Sequence, residues 1–206
     1  MLSATQAKGF DALAGIVESD ETYFLESHKG HRNIKKMFGR KPRKRGGKAK
    51  KRGISNEQVC VLVAQDRQGH VLSQVAGMGR IASSSIDAIL GSYASAITAL
   101  CTDAEAQYRK FAREAGVQHQ ELNAKAGVRV KRGIFHIQNV NGHHSRLKGW
   151  MRRFNGVATR WLDNYLGWFR FIDRHGQMDR KDAIHEMLVN ACLIPDRYTV
   201  SALRPI

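Results

Sequence analysis

The sequence contains few cysteines, no long apolar run and little acidic charge. Its three cysteines, Cys60, Cys101 and Cys192, are scattered and form no C-x-x-C pair, which argues against a zinc ribbon and a disulfide scaffold. The longest apolar run, VCVLVA at 59–64, is far shorter than the roughly 20 residues of a membrane-spanning helix. The stretch MLSATQAKGFDALAGIV has no basic n-region and an aspartate in its apolar part, unlike a signal peptide. We therefore expect a cytoplasmic protein with no membrane partner.

Basic charge is abundant. Lysine and arginine number 34 against 18 acids, which gives a net charge of +16. Such a surplus favours polyanionic partners, chiefly nucleic acid. The hydrophobic fraction of 42% is ordinary for a globular protein, and 206 residues are enough for one domain with a core.

The strongest break in composition is the segment 28–53, which we call the basic segment. It holds thirteen lysines or arginines and no acid. With so few apolar residues it cannot bury a core, and the composition predicts a long mobile loop. Its basic side chains are candidates for phosphate contacts, which position DNA without reading its sequence and weaken steeply with salt. They are Lys29, Arg32, Lys35, Lys36, Arg40, Lys41, Arg43, Lys44, Arg45, Lys48, Lys50, Lys51 and Arg52.

The hydrophobic pattern alternates between strand and helix. Strand-like stretches occur at 15–27, 58–66, 70–77, 97–103 and 117–122, and helical ones at 82–97, 105–116, around 140, 157–173 and 180–193. The second and third strands form a hairpin around DRQGH. This order predicts an α/β fold with three antiparallel strands, then parallel strands, flanked by helices.

Two aspartates lie in or at the end of predicted strands. Asp20 lies within the first strand and Asp103 ends the strand at 97–103. If these strands are neighbours, the two carboxylates converge and offer the oxygen ligands that Mg²⁺ prefers. Two metals roughly 3.5–4 Å apart can then bracket an in-line attack at phosphorus. Alternatively, Asp20 faces solvent on an edge strand and Asp103 is the N-cap of the next helix. Glu21 should point to the opposite face of the strand and be structural.

The stretch NGHHSRLK places Asn141 and Lys148 seven residues apart. Two helical turns put them on one face, shared with His144 and Ser145. An asparagine oxygen can complete a metal shell and a lysine can hold a phosphate, while His144 can line the site. The alternative is a polar, solvated helix face.

Three motifs occur in order: VESDETY at 17–23, CTDAEAQY at 101–108, and VNGHHSRLKGWMRRFNGV at 140–157 followed by LDNYLGWFRF. Over about 15–174 the chain resembles bacterial insertion-sequence transposases of the DDE class. Within this class the chain resembles the ISXO2-like transposase domain. It resembles the branch of that family in which asparagine replaces the third acidic metal ligand and a lysine follows seven residues later. The resemblance implies an RNase H-like fold. It also implies that Asp20, Asp103 and Asn141 hold two Mg²⁺ or Mn²⁺ ions and that Lys148 completes the catalytic set.

The implied activity is cleavage at the ends of an insertion sequence and attack of the freed 3′-OH on target DNA. Implied partners are the terminal inverted repeats, target DNA and further copies of the chain, at the bacterial nucleoid. We expect phosphate contacts from Arg146, Arg152 and Arg153. The expected organisation is an N-terminal segment at 1–14, a catalytic domain at 15–175 and a helical tail at 176–206.

Related transposases commonly carry an N-terminal zinc ribbon or helix-turn-helix, and neither precedes Asp20. We therefore expect a truncated copy, or recognition through the basic segment and partners. The main alternative function is a decayed or truncated transposase that only binds nucleic acid. Another is a structure-specific nuclease, which hydrolyses but does not join strands.

Three further patterns allow other interpretations. GMGRIA at 77–82 matches the G-x-G-x-x-A of dinucleotide-binding enzymes. The histidines 136, 143 and 144 lie close together as a zinc site requires, although further ligands are not obvious. A stripe of large apolar residues recurs at helical spacing and predicts core packing in preference to base stacking. Its members are Trp161, Tyr165, Trp168, Phe169 and Ile172.

Overall fold

The computed structural model describes residues 13–43, 47–123, 126–176 and 178–193. The strands in this part of the chain are Gly15–Leu25 (β1), Gln58–Asp66 (β2), Val71–Met78 (β3), Ile97–Thr102 (β4) and Gln118–Glu121 (β5). The α-helices are Ile34–Phe38 (α1), Ser83–Leu90 (α2), Ala106–Ala115 (α3), Gln138–Met151 (α4), Leu162–His175 (α5) and Arg180–Leu193 (α6). None of the described helices is long and apolar enough to cross a membrane.

The strands form one sheet in the order β3-β2-β1-β4-β5. β2 is antiparallel to both β1 and β3, whereas β4 is parallel to β1 and β5 is parallel to β4. This arrangement confirms the expected α/β fold class, a mixed sheet of three antiparallel strands followed by parallel strands, with helices beside it. β1 is the central strand, so the alternative that Asp20 lies on an edge strand is wrong.

Each face of the sheet is covered by its own core. On β2, Leu62 packs with residues of α2 and α3, while the alternate residues Val61 and Val63 pack with residues of α4 and α5. The period of two along a strand explains this division. Because both faces are buried, β2 is almost continuously apolar. A polar side chain on the central strand therefore requires a partner within the protein.

The aromatic stripe of α5 belongs mainly to the second of these cores. Phe169 is buried and lies 5.4 Å, between ring centroids, from Trp150 of α4, and Trp168 lies 5.1 Å from the same ring. Edge-to-face arrangements of this kind are favourable between aromatic rings. The core-packing interpretation fits these residues, although Ile172 at the end of the stripe is exposed.

The basic segment is not irregular throughout, although its composition predicts a long loop. It contains the short helix α1, whose Phe38 stacks on the ring of His28 at 3.6 Å. The Lys29 ammonium donates to the carbonyls of Phe154 and Gly156, at 3.0 Å each. Arg43 pairs with Glu57 at 3.2 Å. Local aromatic stacking and side-chain bonds to main-chain carbonyls, which composition does not reveal, hold this part against the domain.

The predicted glycine fingerprint has the wrong connections for a dinucleotide site. GMGRIA follows the edge strand β3, and the strand after α2 is β4, which pairs with β1 and not with β3. A dinucleotide fingerprint joins neighbouring parallel strands. The dinucleotide-binding alternative is therefore wrong.

Candidate functional site

The parallel pairing of β1 with β4 brings the predicted aspartates together: Asp20 lies within β1, and Asp103 directly follows β4. Glu18 of β1 is opposite Cys101 of β4 in the last pair of this ladder. Asp20 and Asp103 each follow two residues later. Burial, and after it the charge of Asp103, raises the pKa of Asp20 to about 6. The two carboxylates thus share one poorly compensated site.

Asp103 also bonds the start of the following helix. Its Oδ1 accepts a hydrogen bond from the main-chain N–H of Glu105, at 3.1 Å. Glu105, and not Asp103, occupies the N-cap of α3. The alternative that Asp103 is the N-cap is therefore wrong, and one carboxylate oxygen of Asp103 is fixed by the turn before the helix.

Helix α4 lies beside β1 and turns its predicted polar face towards Asp20. The Nδ1 atom of His144 is 3.6 Å from Oδ2 of Asp20, and the charge of Lys148 lowers the pKa of that aspartate. Asn141, which is exposed, lies one turn before His144 on the same face. Ser145 instead donates its hydroxyl to the carbonyl of Asn141, at 3.1 Å.

His144 is held in its neutral form. Burial, together with the charges of His143 and Lys148, lowers its pKa to about 3. Its Nε2 atom is buried and has no hydrogen-bond partner among the described residues. A neutral imidazole can accept a hydrogen bond or a proton at such an atom. His144 therefore adds no positive charge to compensate the two aspartates.

The other two histidines of the predicted cluster point to different partners. His136 Nδ1 lies 3.2 Å from a Glu18 oxygen, and His143 Nδ1 lies 3.2 Å from Asp173. Across the described ranges, no group of three histidine, cysteine or acidic side chains could hold a metal ion. The zinc alternative is therefore wrong for this cluster.

Glu21 is a third acidic group near the pair. As expected from strand alternation it faces the other side of the sheet, where it hydrogen-bonds Tyr108. Burial raises its pKa to about 7, and Asp20, Asp103 and Glu105 contribute in the same direction. One of its carboxylate oxygens is buried without a partner among the described residues. The sequence predicted the direction of this side chain but not its electrostatic link to the site.

The donor set fits a hard divalent cation. Asp20 and Asp103 could supply carboxylates, and Asn141, exposed on α4, could supply an amide oxygen. Mg²⁺ and Mn²⁺ prefer oxygen ligands, with one or two carboxylates as the usual protein share. The pKa of Asp20 is raised first by burial and then by the charge of Asp103. A bound cation would supply positive charge beside these two carboxylates.

Sequence reasoning missed the role of Glu18. This side chain is fully buried and accepts hydrogen bonds from the first turn of α4 and from Arg67, and one of its oxygens lies 3.2 Å from Nδ1 of His136. It shares a face of β1 with Asp20 because the two residues are two positions apart in the strand. The sequence did contain a signal for this role, namely a second acidic residue two positions before Asp20 in the same strand.

The candidate phosphate contacts divide into three groups. Arg152 and Lys148 line a mostly apolar cleft of about 380 Å³ beside β1, and Arg153 is exposed next to it. Arg146 instead pairs with both oxygens of Asp173, at 2.7 and 2.8 Å, on the side of α4 that faces α5.

The basic segment forms the third group. Lys29, Arg40, Arg43 and Lys51 bond protein groups. Other side chains are exposed and make no hydrogen bond or ion pair with the described residues; these are Arg32, Lys35, Lys36, Lys41, Lys48, Lys50 and Arg52. Lys44 and Arg45 lie outside the described residues, as do 1–12 of the predicted N-terminal segment and 194–206 of the predicted tail.

Comparison with known proteins gives one family. The family described as the ISXO2-like transposase domain matches residues 12–172. No curated protein sequence matches the chain. Among solved structures, the crystal structure of a pre-cleavage Mos1 transpososome contains a chain with 11% identity and a TM-score of 0.32. The similarity covers 83% of this chain and 55% of that one, so the chain spans about half the length of this neighbour.

Proposed function

Because the chain belongs to the ISXO2-like transposase domain family, we propose that it catalyses metal-dependent cleavage and strand transfer of DNA at the ends of an insertion sequence. The observation that carries this proposal is the convergence of Asp20, within β1, and Asp103, directly after the neighbouring strand β4, beside Lys148. Phosphoryl transfer depends mainly on positioning and on charge stabilisation, and this arrangement supplies both.

In this mechanism Asp20, Asp103 and Asn141 hold two Mg²⁺ or Mn²⁺ ions. The ions, when bound, activate the attacking oxygen and stabilise charge at phosphorus. The protein contributes a rigid frame, because Asp20 lies within the central strand β1 and Asp103 directly follows the neighbouring strand β4. Lys148 and Arg152, at the adjoining cleft, bind backbone phosphates and align the strand. His144 presents a neutral imidazole beside Asp20 and excludes water from that side.

The proposed partners are the terminal inverted repeats, target DNA and other copies of the chain, at the nucleoid. The exposed charges of the basic segment support the DNA contacts. The competing function is a decayed copy that binds nucleic acid without catalysis. Metal dependence separates the two, because phosphate contacts by lysine need no divalent ion whereas strand cleavage at two carboxylates does.

The direct test is strand cleavage and joining on labelled DNA that carries the inverted repeats of the element. We expect nicked and joined products that require Mg²⁺ or Mn²⁺. Cleavage without joining would instead support a nuclease. Binding without cleavage under any metal condition would support the non-catalytic alternative and contradict the proposal.

The double substitution K35Q/K36Q should flatten the salt dependence of DNA binding. Both lysines are exposed on α1, and their side chains make no hydrogen bond or ion pair with the described residues. Each lost phosphate contact lowers the slope of log affinity against log salt by about 0.9 for duplex DNA, so two lost contacts lower it by roughly 1.8. Fluorescence anisotropy of a labelled duplex across a salt series measures the slope.

The matched control is K110Q/R113Q, which removes two exposed charges from α3. We expect this control to leave the slope near that of the wild type. Equal slopes for wild type and K35Q/K36Q would show that α1 does not contact the duplex.

A further inference from the structure

A buried carboxylate ties the start of α4 to the central strand. Glu18 has no solvent exposure. Its Oε2 accepts hydrogen bonds from the main-chain N–H of Asn139 at 2.9 Å and of Val140 at 3.0 Å. The first N–H groups of a helix have no partner inside the helix, and the positive end of the helix dipole favours an anion. One oxygen of Glu18 therefore fixes where α4 begins relative to β1.

The other carboxylate oxygen holds two segments that surround the helix start. Oε1 of Glu18 accepts a hydrogen bond from Arg67, which follows β2 in the turn to β3, and lies 3.2 Å from Nδ1 of His136. The same guanidinium donates to the carbonyl of Ile134, at 2.7 Å. The segment that leads into α4 is thus fastened to both β1 and the hairpin turn.

The hydrogen bonds of Glu18 hold the part of α4 that directly precedes the residues of the candidate metal site. Asn141 directly follows Val140, whose N–H bonds Glu18, and His144 one turn later lies 3.6 Å from Asp20. A shift of the helix start would move the whole polar face of α4 relative to the strand. Mg²⁺ demands near-ideal geometry with oxygen ligands at about 2.0–2.1 Å, so a small shift removes a ligand from reach.

We propose that Glu18, together with Arg67, is a positioning residue that sets α4 so that Asn141 and His144 meet the Asp20–Asp103 pair in a cation-binding arrangement. This inference rests on the proposed function, and Glu18 itself touches neither metal nor DNA. Outer partners that orient the ligands of a metal typically contribute about 10–100-fold to its affinity. Glu18 acts one step further out, through the backbone of the helix.

The test compares two carboxylate-to-amide variants in Mn²⁺ binding to the DNA-free protein, measured by isothermal titration calorimetry. E18Q keeps the size of the side chain but replaces one oxygen with a donor that opposes the N–H groups. D163N is the matched control: Asp163 likewise ties a helix to a strand, accepting the Val75 N–H at 2.8 Å, but it joins α5 to β3. DNA binding in EDTA and thermal unfolding are measured in parallel.

We expect E18Q to bind Mn²⁺ about 10-fold more weakly than the wild type. D163N should bind Mn²⁺ normally, and DNA binding in EDTA should persist in both. Normal Mn²⁺ affinity in E18Q would overturn this inference alone. Equal weakening in both variants would assign Glu18 to general stability and also overturn it. A wild type that binds no Mn²⁺ would overturn the proposed function and, with it, the positioning role.

A second variant keeps the inference testable if E18Q does not fold. R67Q leaves the carboxylate and its two main-chain bonds in place and removes a partner whose side chain is 27% exposed. We expect R67Q to fold and to lose Mn²⁺ affinity in the same direction. A folded R67Q with unchanged affinity would contradict the proposal.

Discussion

The variant D103N should cleave DNA about 10³-fold more slowly than the wild type while it binds the same DNA normally. Asp103 is one of the two carboxylates that converge beside the centre of the sheet. The asparagine amide of the variant carries no negative charge and would therefore bind the metal ions more weakly. Metal ions contribute several kcal/mol to charge stabilisation in phosphoryl transfer, and each 1.36 kcal/mol is a factor of about ten in rate. Single-turnover cleavage of labelled inverted-repeat DNA measures the effect.

The control for this prediction is E105Q, which removes a neighbouring acid at the N-cap of α3. Glu105 contributes to the charge around Glu21 but is not among the proposed ligands. We expect its cleavage rate to stay within a few-fold of the wild type. Similar losses in E105Q and D103N would mean that local negative charge matters and not a specific ligand, which would weaken the two-aspartate mechanism.

Most of the sheet could be predicted from the sequence because local patterns encode it. The apolar run of β2, the turn at DRQGH and the strand that ends before Asp103 each depend on neighbouring residues alone. The parallel pairing of β1 with β4 was a condition of the predicted aspartate pair, and the structure meets this condition. This pairing places Asp20 beside Asp103, so the candidate pair could also be predicted.

What could not be predicted depends on contacts between distant segments. Arg146 looks like a free phosphate ligand in the sequence, yet it binds Asp173, which lies 27 residues further along the chain. Glu18 looks like a strand polar residue, yet its partners come from the hairpin turn and from the start of α4. Such pairings are decided by tertiary packing, and no local period indicates them.

The variant D20N should be more stable than the wild type at pH 7 when no metal is bound. The pKa of Asp20 is raised from 3.8 to about 6, chiefly by burial. Between about pH 4 and pH 6 the folded protein therefore binds more protons than the unfolded chain, and stability falls as the pH rises through this range. Above about pH 6 the loss of unfolding free energy is complete. It amounts to at most about 3 kcal/mol, at about 1.36 kcal/mol per pKa unit.

Thermal unfolding with EDTA checks the size and the pH window of this effect. An unfolding free energy that is larger by about 1–3 kcal/mol corresponds to a Tm that is higher by roughly 2–12 °C for a chain of this size. The gap between D20N and wild type should close near pH 4, where Asp20 is protonated in the folded state. D182N, which changes an exposed acid on α6, should show no such gap.

Addition of Mn²⁺ should reverse the order of the two proteins. A ligand that binds only the folded state stabilises it by about 2.7 kcal/mol at a hundred times its dissociation constant. The wild type gains this increment, whereas D20N lacks a proposed ligand and gains less. The same carboxylate would thus destabilise the metal-free domain and stabilise the loaded one. A D20N variant that is no more stable than wild type in EDTA, or that gains equally from Mn²⁺, would contradict this account of the site.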